Sequence, residues 1–314
     1  MTIMFPTLSM PILYLFASIR QPFLDTFFAT ITELGEATVF IAVALLMLWC
    51  VDKYAGYFLM STSLLGITLN QWLKVLFRVP RPWVLDPEFK IVEKARAGAE
   101  GYSFPSGHAQ LSVGAYGGLL YWKRWRPAVR GLLIALAVLI PVSRMYLGVH
   151  TPADVLLSVL LALAAIFVIG PIVRKAQQQP VFLTRLLVGI LVFCAGFVVF
   201  TAVFPFSPET DSAALNSAIK YAYRMLGGSL ALLFGWMWDS DHLHYETKAV
   251  WWAQILKFVL GLALTLAILK LPVKHFVLGG LPIGHFFEYF LAMGFASIVW
   301  PMTFGFFSRL GGRK

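Results

Sequence analysis

Long apolar stretches separated by short charged turns run through this chain. They lie at residues 23–49, 54–77, 107–122, 131–146, 153–173, 181–204, 213–238, 250–271 and 283–307. Crossing the hydrocarbon layer takes about 20 mostly apolar residues in helical form, so the pattern predicts an all-α, polytopic bundle of about nine transmembrane helices. Residues 10–20 are apolar but too short to span, and predict an interfacial helix ending before Arg20-Gln21-Pro22. The N-terminus lacks the basic segment and cleavage site of a secretory signal. A polar loop at 80–105 carries Asp86, Glu88, Lys90, Glu93, Lys94, Arg96 and Glu100.

Composition strengthens this reading. Of 314 residues, 59% are hydrophobic and only 13% charged, where a soluble domain carries about a quarter charged residues. The net charge of +10 does not imply nucleic-acid binding, because no hydrophilic segment is large enough to form a basic face. Basic cytoplasmic loops explain it instead. Cys50 and Cys194 both lie inside apolar runs, which speaks against a disulfide or a thiolate metal site.

Lys123, Arg124, Arg126, Arg130, Arg174, Lys175, Arg309, Arg313 and Lys314 fall on one face of such a bundle. The positive-inside rule makes that face cytoplasmic and places the 80–105 loop and His150 outside. The polar groups on the outer face are informative. Span two ends with Lys74 and, after six intervening residues, Arg81-Pro82; span three begins with Pro105-Ser106-Gly107-His108; Ser143-Arg144 and His150 sit between spans four and five. If a helix starts at Thr151 or Pro152, Asp154 lies about one turn from His150 and can hold the imidazole in one tautomer. On its own, that stretch also reads as an interfacial cap with a salt bridge. Taken together, three cations, two histidines and a helix start converge at one depth. Lys74, Arg81 and Arg144 suit a tetrahedral oxyanion better than a carboxylate. The chemistry suggested is phosphoryl transfer without a metal: cations hold the oxygens, one histidine attacks, and another protonates the leaving oxygen.

These residues resemble the motifs of the type 2 phosphatidic acid phosphatases (PAP2) and their relatives, the vanadium haloperoxidases and the glucose-6-phosphatase group. The shared pattern is Lys, six residues, Arg-Pro; then Pro-Ser-Gly-His; then Ser-Arg, five residues, His, three residues, Asp. The chain carries all three parts. The resemblance spans residues 23 to about 173 and implies a catalytic core at 23–175, between an N-terminal interfacial segment (1–22) and a transmembrane extension (176–314). It implies that His150 is the nucleophile and Asp154 its orienting carboxylate. His108 would be the acid for the leaving group and the base for water. Lys74, Arg81 and Arg144 would bind phosphate with Ser106 and Gly107, without cofactor or metal. Nine spans and a catalytic loop after span two resemble the glucose-6-phosphatase and sphingosine-phosphate phosphatase branch. The function expected is hydrolysis of a lipid phosphate or pyrophosphate through a phosphohistidine, at the extracytoplasmic face of the cell membrane. Transfer to another alcohol, or hydrolysis of a soluble phosphomonoester such as a sugar phosphate, is the alternative. A haloperoxidase is disfavoured because those relatives are typically soluble, and a vestigial transporter or scaffold because no motif residue is missing.

Other polar positions read more plainly. Ser143 is divided between touching phosphate and packing. Asp239, Asp241, His242, His244 and Glu246 read as a solvated turn rather than a metal cluster. Glu288, inside the last span, needs a partner, with Arg224 or Lys257 available. Glu33 and Glu36 read as caps or pairs, and Arg78 as snorkelling or assisting phosphate. The tryptophans Trp72, Trp83, Trp122, Trp125, Trp251 and Trp252 read mostly as interfacial belts.

Overall fold

A computed structural model describes residues 9–99 and 101–310. Residues 1–8 of the expected interfacial segment, Glu100, Arg313 and Lys314 lie outside the described residues. The described residues are helical throughout apart from loops and one isolated bridge between Leu278 and Leu281. The N-terminal helix α1 covers Met10–Ser18 and α2 covers Pro22–Glu33, with Pro22 at the first helical position, where its fixed φ suits a start. Helix α3, Ala37–Leu46, runs into a π turn at Met47–Val51.

The expected straight span at 23–49 is therefore a bent pair. Its halves meet at 48°, because Leu34, Gly35 and Glu36 donate to carbonyls three residues back and break the α ladder. Gly35 fits the bend because a Cβ there would stand 2.6 Å from Ile140. Helix α4, Lys53–Phe77, ends with Arg78 in the left-handed region, its N–H donating to Lys74 O at 2.9 Å.

The third stretch is α5 (Gly107–Ser112), a π turn at Val113–Gly117, and α6 (Gly118–Trp122). Helices α7 (Pro127–Tyr146), α8 (Pro152–Ala176), α9 (Val181–Val203), α10 (Ser212–Trp238) and α11 (Trp251–Ile268) follow. The chain closes with α12 (Gly284–Gly294), another π turn, and α13 (Phe304–Arg309). All nine expected stretches are thus helical. By length and apolarity, five helices qualify as spans, or six with the bent pair. Helix α4, with Asn70, Gln71 and Lys74, and α10, with Asn216, Lys220 and Arg224, are outside that set, as are the shorter pieces at 107–122.

Packing divides the chain into two compact units. The first comprises Met1–Phe40, Leu69–Phe167 and Pro205–Ala218. Its apolar cluster joins Met10 and Leu13 of α1 to Phe89, Ile91, Ala95 and Ala99 of the polar loop, and to Tyr146, Leu147 and Val149. The second comprises Ile41–Thr68, Val168–Phe204 and Ile219–Lys314. Small residues let its helices approach closely: a Cβ on Gly227 would stand 2.2 Å from Phe286 O, and one on Gly235 2.3 Å from Ser297 Oγ. Glu288 takes Arg224 as its partner, at 2.9 Å from Nη2, while Lys257 donates to Thr247 O. Asp239 departs from the solvated-turn reading, because it is buried and paired with Lys53 Nζ at 2.6 Å. Asp241, His242, His244 and Glu246 are exposed, and the described residues form no metal-ligating cluster.

Candidate active site

The site is built within the first unit, from the ends of four helical segments and the loops between them. Lys74, in the last turn of α4, is buried and its ammonium donates to Tyr102 O. Arg81 follows in the loop and donates Nε to Gly101 O at 2.9 Å and Nη1 to Val149 O at 3.0 Å. The same Nη1 lies 3.0 Å from His150 Nε2. An arginine nitrogen can only donate, so Nε2 carries the lone pair and Nδ1 the proton.

Asp154 is on the Nδ1 side, as its spacing predicts. Its Oδ2 is 3.5 Å from His150 Nδ1 and accepts from the Thr151 N–H and the Ser103 hydroxyl, both at 2.6 Å. Ser103 Oγ is itself 3.4 Å from Nδ1. His150 is 2% exposed. Burial first, then the charges of Arg81, Lys74 and Arg144 and, least, His108, push its pKa well below the ordinary histidine value. The imidazole is therefore neutral at neutral pH, as a nucleophile requires.

The loop carrying His150 turns at Gly148, where φ is +81°. A Cβ there would stand 2.7 Å from Arg20 Nη2 and 2.9 Å from the Phe89 ring, so glycine is needed for both conformation and space. Arg20 holds the loop from behind, donating Nε and Nη2 to Tyr146 O at 3.0 and 2.8 Å.

Arg144, in the last turn of α7, is 1% exposed. Its Nη1 donates to Thr32 Oγ1 at 2.8 Å. Its Nε and Nη2 find no hydrogen-bond partner among the described residues. A buried donor left unpaired costs about 1–3 kcal/mol, more on a charged group. Lys74, Arg81 and Arg144 are buried with Asp154 as the carboxylate in their midst. With the exposed Glu36 also acting on Arg144, positive charge still outnumbers negative among the buried groups, a costly arrangement unless an anion neutralises it.

Ser106 caps α5, its Oγ accepting from Ala109 N at 3.5 Å while its own N–H donates to Asp154 O at 3.2 Å. A Cβ on Gly107 would meet only Asn70 Oδ1, at 3.9 Å, so the residue leaves open room beside the helix start. His108 is half-buried near the α2–α3 bend, its Cδ2 3.6 Å from where a Gly35 Cβ would stand. Ser143 donates to Ile140 O at 2.6 Å inside its own helix, which supports the packing alternative. Arg78 is exposed and reaches Thr210 at 3.3 Å, and Trp83 lies against the guanidinium groups of Arg81 and Arg96.

Five further residues, Arg20, Thr32, Asn70, Ser103 and Gln110, escaped the sequence reading. Asn70 donates Nδ2 to Gln110 Oε1 at 2.8 Å, and both are buried. Asn70 had one readable signal, an amide inside an apolar helix four residues before Lys74, on the same face. The others offered none.

Helices long and apolar enough to cross a bilayer define a multi-pass membrane protein, and its first unit buries a cluster of cations around a neutral histidine. Comparison with known proteins narrows the class. Residues 53–178 match the PAP2 superfamily, and residues 223–313 match the PAP2 superfamily phosphatase transmembrane extension. The chain belongs to the PAP2 superfamily. It is similar to a probable sphingosine-1-phosphate phosphatase of Dictyostelium discoideum, at 26% identity over 74% of this chain and 58% of that protein. It is also similar to an undecaprenyl-diphosphatase of Sulfolobus acidocaldarius, at 33% identity over 40% of this chain and 59% of that protein. The chain thus spans less than two thirds of either relative's length. The crystal structure of Aquifex aeolicus LpxE aligns with 52% of this chain and 94% of its own, at 24% identity and a TM-score of 0.45.

Proposed function

We propose that the protein is a metal-independent membrane phosphatase that hydrolyses a lipid phosphate or lipid pyrophosphate through a phosphohistidine. The carrying observation is the pair of unpartnered nitrogens on Arg144 within a buried cluster of three cations. A phosphomonoester dianion neutralises that charge and accepts from both nitrogens. Relatives named as phosphatases of sphingosine-1-phosphate and undecaprenyl diphosphate support a lipid substrate.

In this reading Arg81, Lys74 and Arg144 hold the equatorial oxygens. Arg81 exchanges its hydrogen bond to His150 for one to the phosphoryl group, which frees the Nε2 lone pair. Nε2 attacks phosphorus, the ester P–O bond breaks, and His108 gives a proton to the departing oxygen. The positive charge that forms on the His150 ring is stabilised by Asp154, which Ser103 and Thr151 hold in place. His108, now basic, takes a proton from water as that water attacks the phosphohistidine, releasing inorganic phosphate. Ser106 and Gly107 flank the phosphoryl group. The core is residues 23–175, and positive-inside orientation puts the site at the extracytoplasmic face of the cell membrane.

The test is phosphate release from sphingoid-base phosphate, polyprenyl pyrophosphate, phosphatidic acid, phosphatidylglycerophosphate and a sugar phosphate, by purified protein with chelator present. Release from one or more of the lipids is expected. Release only from the sugar phosphate would overturn the lipid assignment, and strict magnesium dependence the metal-free mechanism.

A further inference from the structure

Asn70 does not fit a site built only to bind phosphate. It is 2% exposed and sits one turn before Lys74 on the same face of α4, about 6 Å deeper along the helix. Its Nδ2 donates to Gln110 Oε1 at 2.8 Å and to Pro105 O at 3.4 Å. A main-chain carbonyl can only accept, so the amide orientation is settled by chemistry. That leaves Oδ1 buried and unpartnered among the described residues, on the side of Gly107.

Every cation of the clamp offers hydrogen-bond donors, while Oδ1 is an acceptor. It cannot bond to an ionised phosphate oxygen, because neither atom carries a hydrogen. It lies 3.9 Å from where a Gly107 Cβ would stand, and Gly107 adjoins His108, the residue assigned to the leaving group in the reading above. On the phosphatase reading above, we infer that Asn70 is a specificity residue whose Oδ1 accepts a hydrogen bond from an O–H or N–H on the leaving-group side. That donor is carried by the substrate's alcohol portion, on the carbon next to the phosphoester, or by the water that replaces it. A site that hydrogen-bonds a donor discriminates against an analogue lacking it, because its own acceptor is then left unpaired.

The experiment uses the full-length protein in mixed micelles with two substrates of equal chain length, an alkyl phosphate and its 2-amino or 2-hydroxy counterpart. The wild type is compared with Asn70→Leu and with Asn70→Leu/Gln110→Leu, which removes both amides so that neither is left unpaired. The inhibition constant of inorganic phosphate reports on the clamp. If the donor belongs to the substrate, the wild type favours the donor-bearing compound about tenfold in kcat/KM, and both variants bring the ratio close to one. If it belongs to the water, both variants lose turnover equally on the two substrates and accumulate labelled phosphoenzyme. Turnover of both substrates within twofold of wild type would overturn the inference. So would a matching rise in the phosphate inhibition constant, which would make Asn70 a support for the clamp. A wild type inactive on both compounds, and on the wider panel, would instead bring down the phosphatase reading.

Discussion

Arg144 is gripped on one side by Thr32 and bare on the other, an asymmetry that predicts how substitutions behave. Lysine keeps the charge but not the planar fork that presents Nε and Nη2 together. Arg144→Lys should therefore lose nearly as much as Arg144→Ala, about 10²–10³ in kcat, the scale of one oxyanion-stabilising group. Steady-state turnover on one lipid phosphate checks this, and near-normal rates in the lysine variant would show that charge alone matters. His150 supplies a pH test. Its pKa lies below the free value of about 6.5, so the ring stays neutral as pH falls through 6.5. Nitrogen NMR of labelled histidine at pH 6 should show protonated Nδ1 and bare Nε2; a doubly protonated ring would contradict the assignment. Lys74, Arg81, His108, Arg144, His150 and Asp154 were legible because their spacing is rigid and charge is conspicuous in an apolar chain. Thr32 and Ser103 were not. A threonine in an apolar helix looks ordinary, and its partner is 112 residues away.

Among the elements, the nine helical stretches follow from apolar length, but their interruptions do not. The bend at Leu34–Glu36, where Gly35 meets the remote Ile140, and the π turns at Met47–Val51 and Val113–Gly117 leave no mark on the apolar pattern. Asp239 was misread because its salt bridge to Lys53 joins residues 186 apart. The turn between α7 and α8 is where an element touches chemistry most directly. Gly148→Ala forces a positive φ on a residue with a side chain and drives a methyl into Arg20 and Phe89. Together these should cost about 1–3 kcal/mol. The expected result is a lower Tm and a larger fall in kcat than in the phosphate inhibition constant, because the loop holds His150, the proposed nucleophile. An unchanged kcat would mean the loop tolerates the methyl without moving His150.

For the whole molecule, composition and charge distribution establish the membrane class, and the asymmetry of basic loops is the basis of the proposed orientation. Glu93 and Lys123 are both exposed and fall on opposite faces of the proposed topology. A cysteine at 93 should react with an impermeant thiol reagent in intact cells, and one at 123 should not; the reverse would place the site in the cytoplasm. The interleaving of two units, each drawn from three separate stretches, was not legible, because it depends on which helices pack together. The central claim is that His150 attacks phosphorus and His108 serves the leaving group and the water. Its most direct measurement is acid-quench trapping with labelled p-nitrophenyl phosphate, whose leaving group needs little protonation. In His108→Ala, labelled phosphohistidine should form and accumulate, because the water is no longer activated, and it should map to His150. In His150→Ala no label should be retained. Label trapped in His150→Ala and absent from His108→Ala would contradict the account and exchange the two roles.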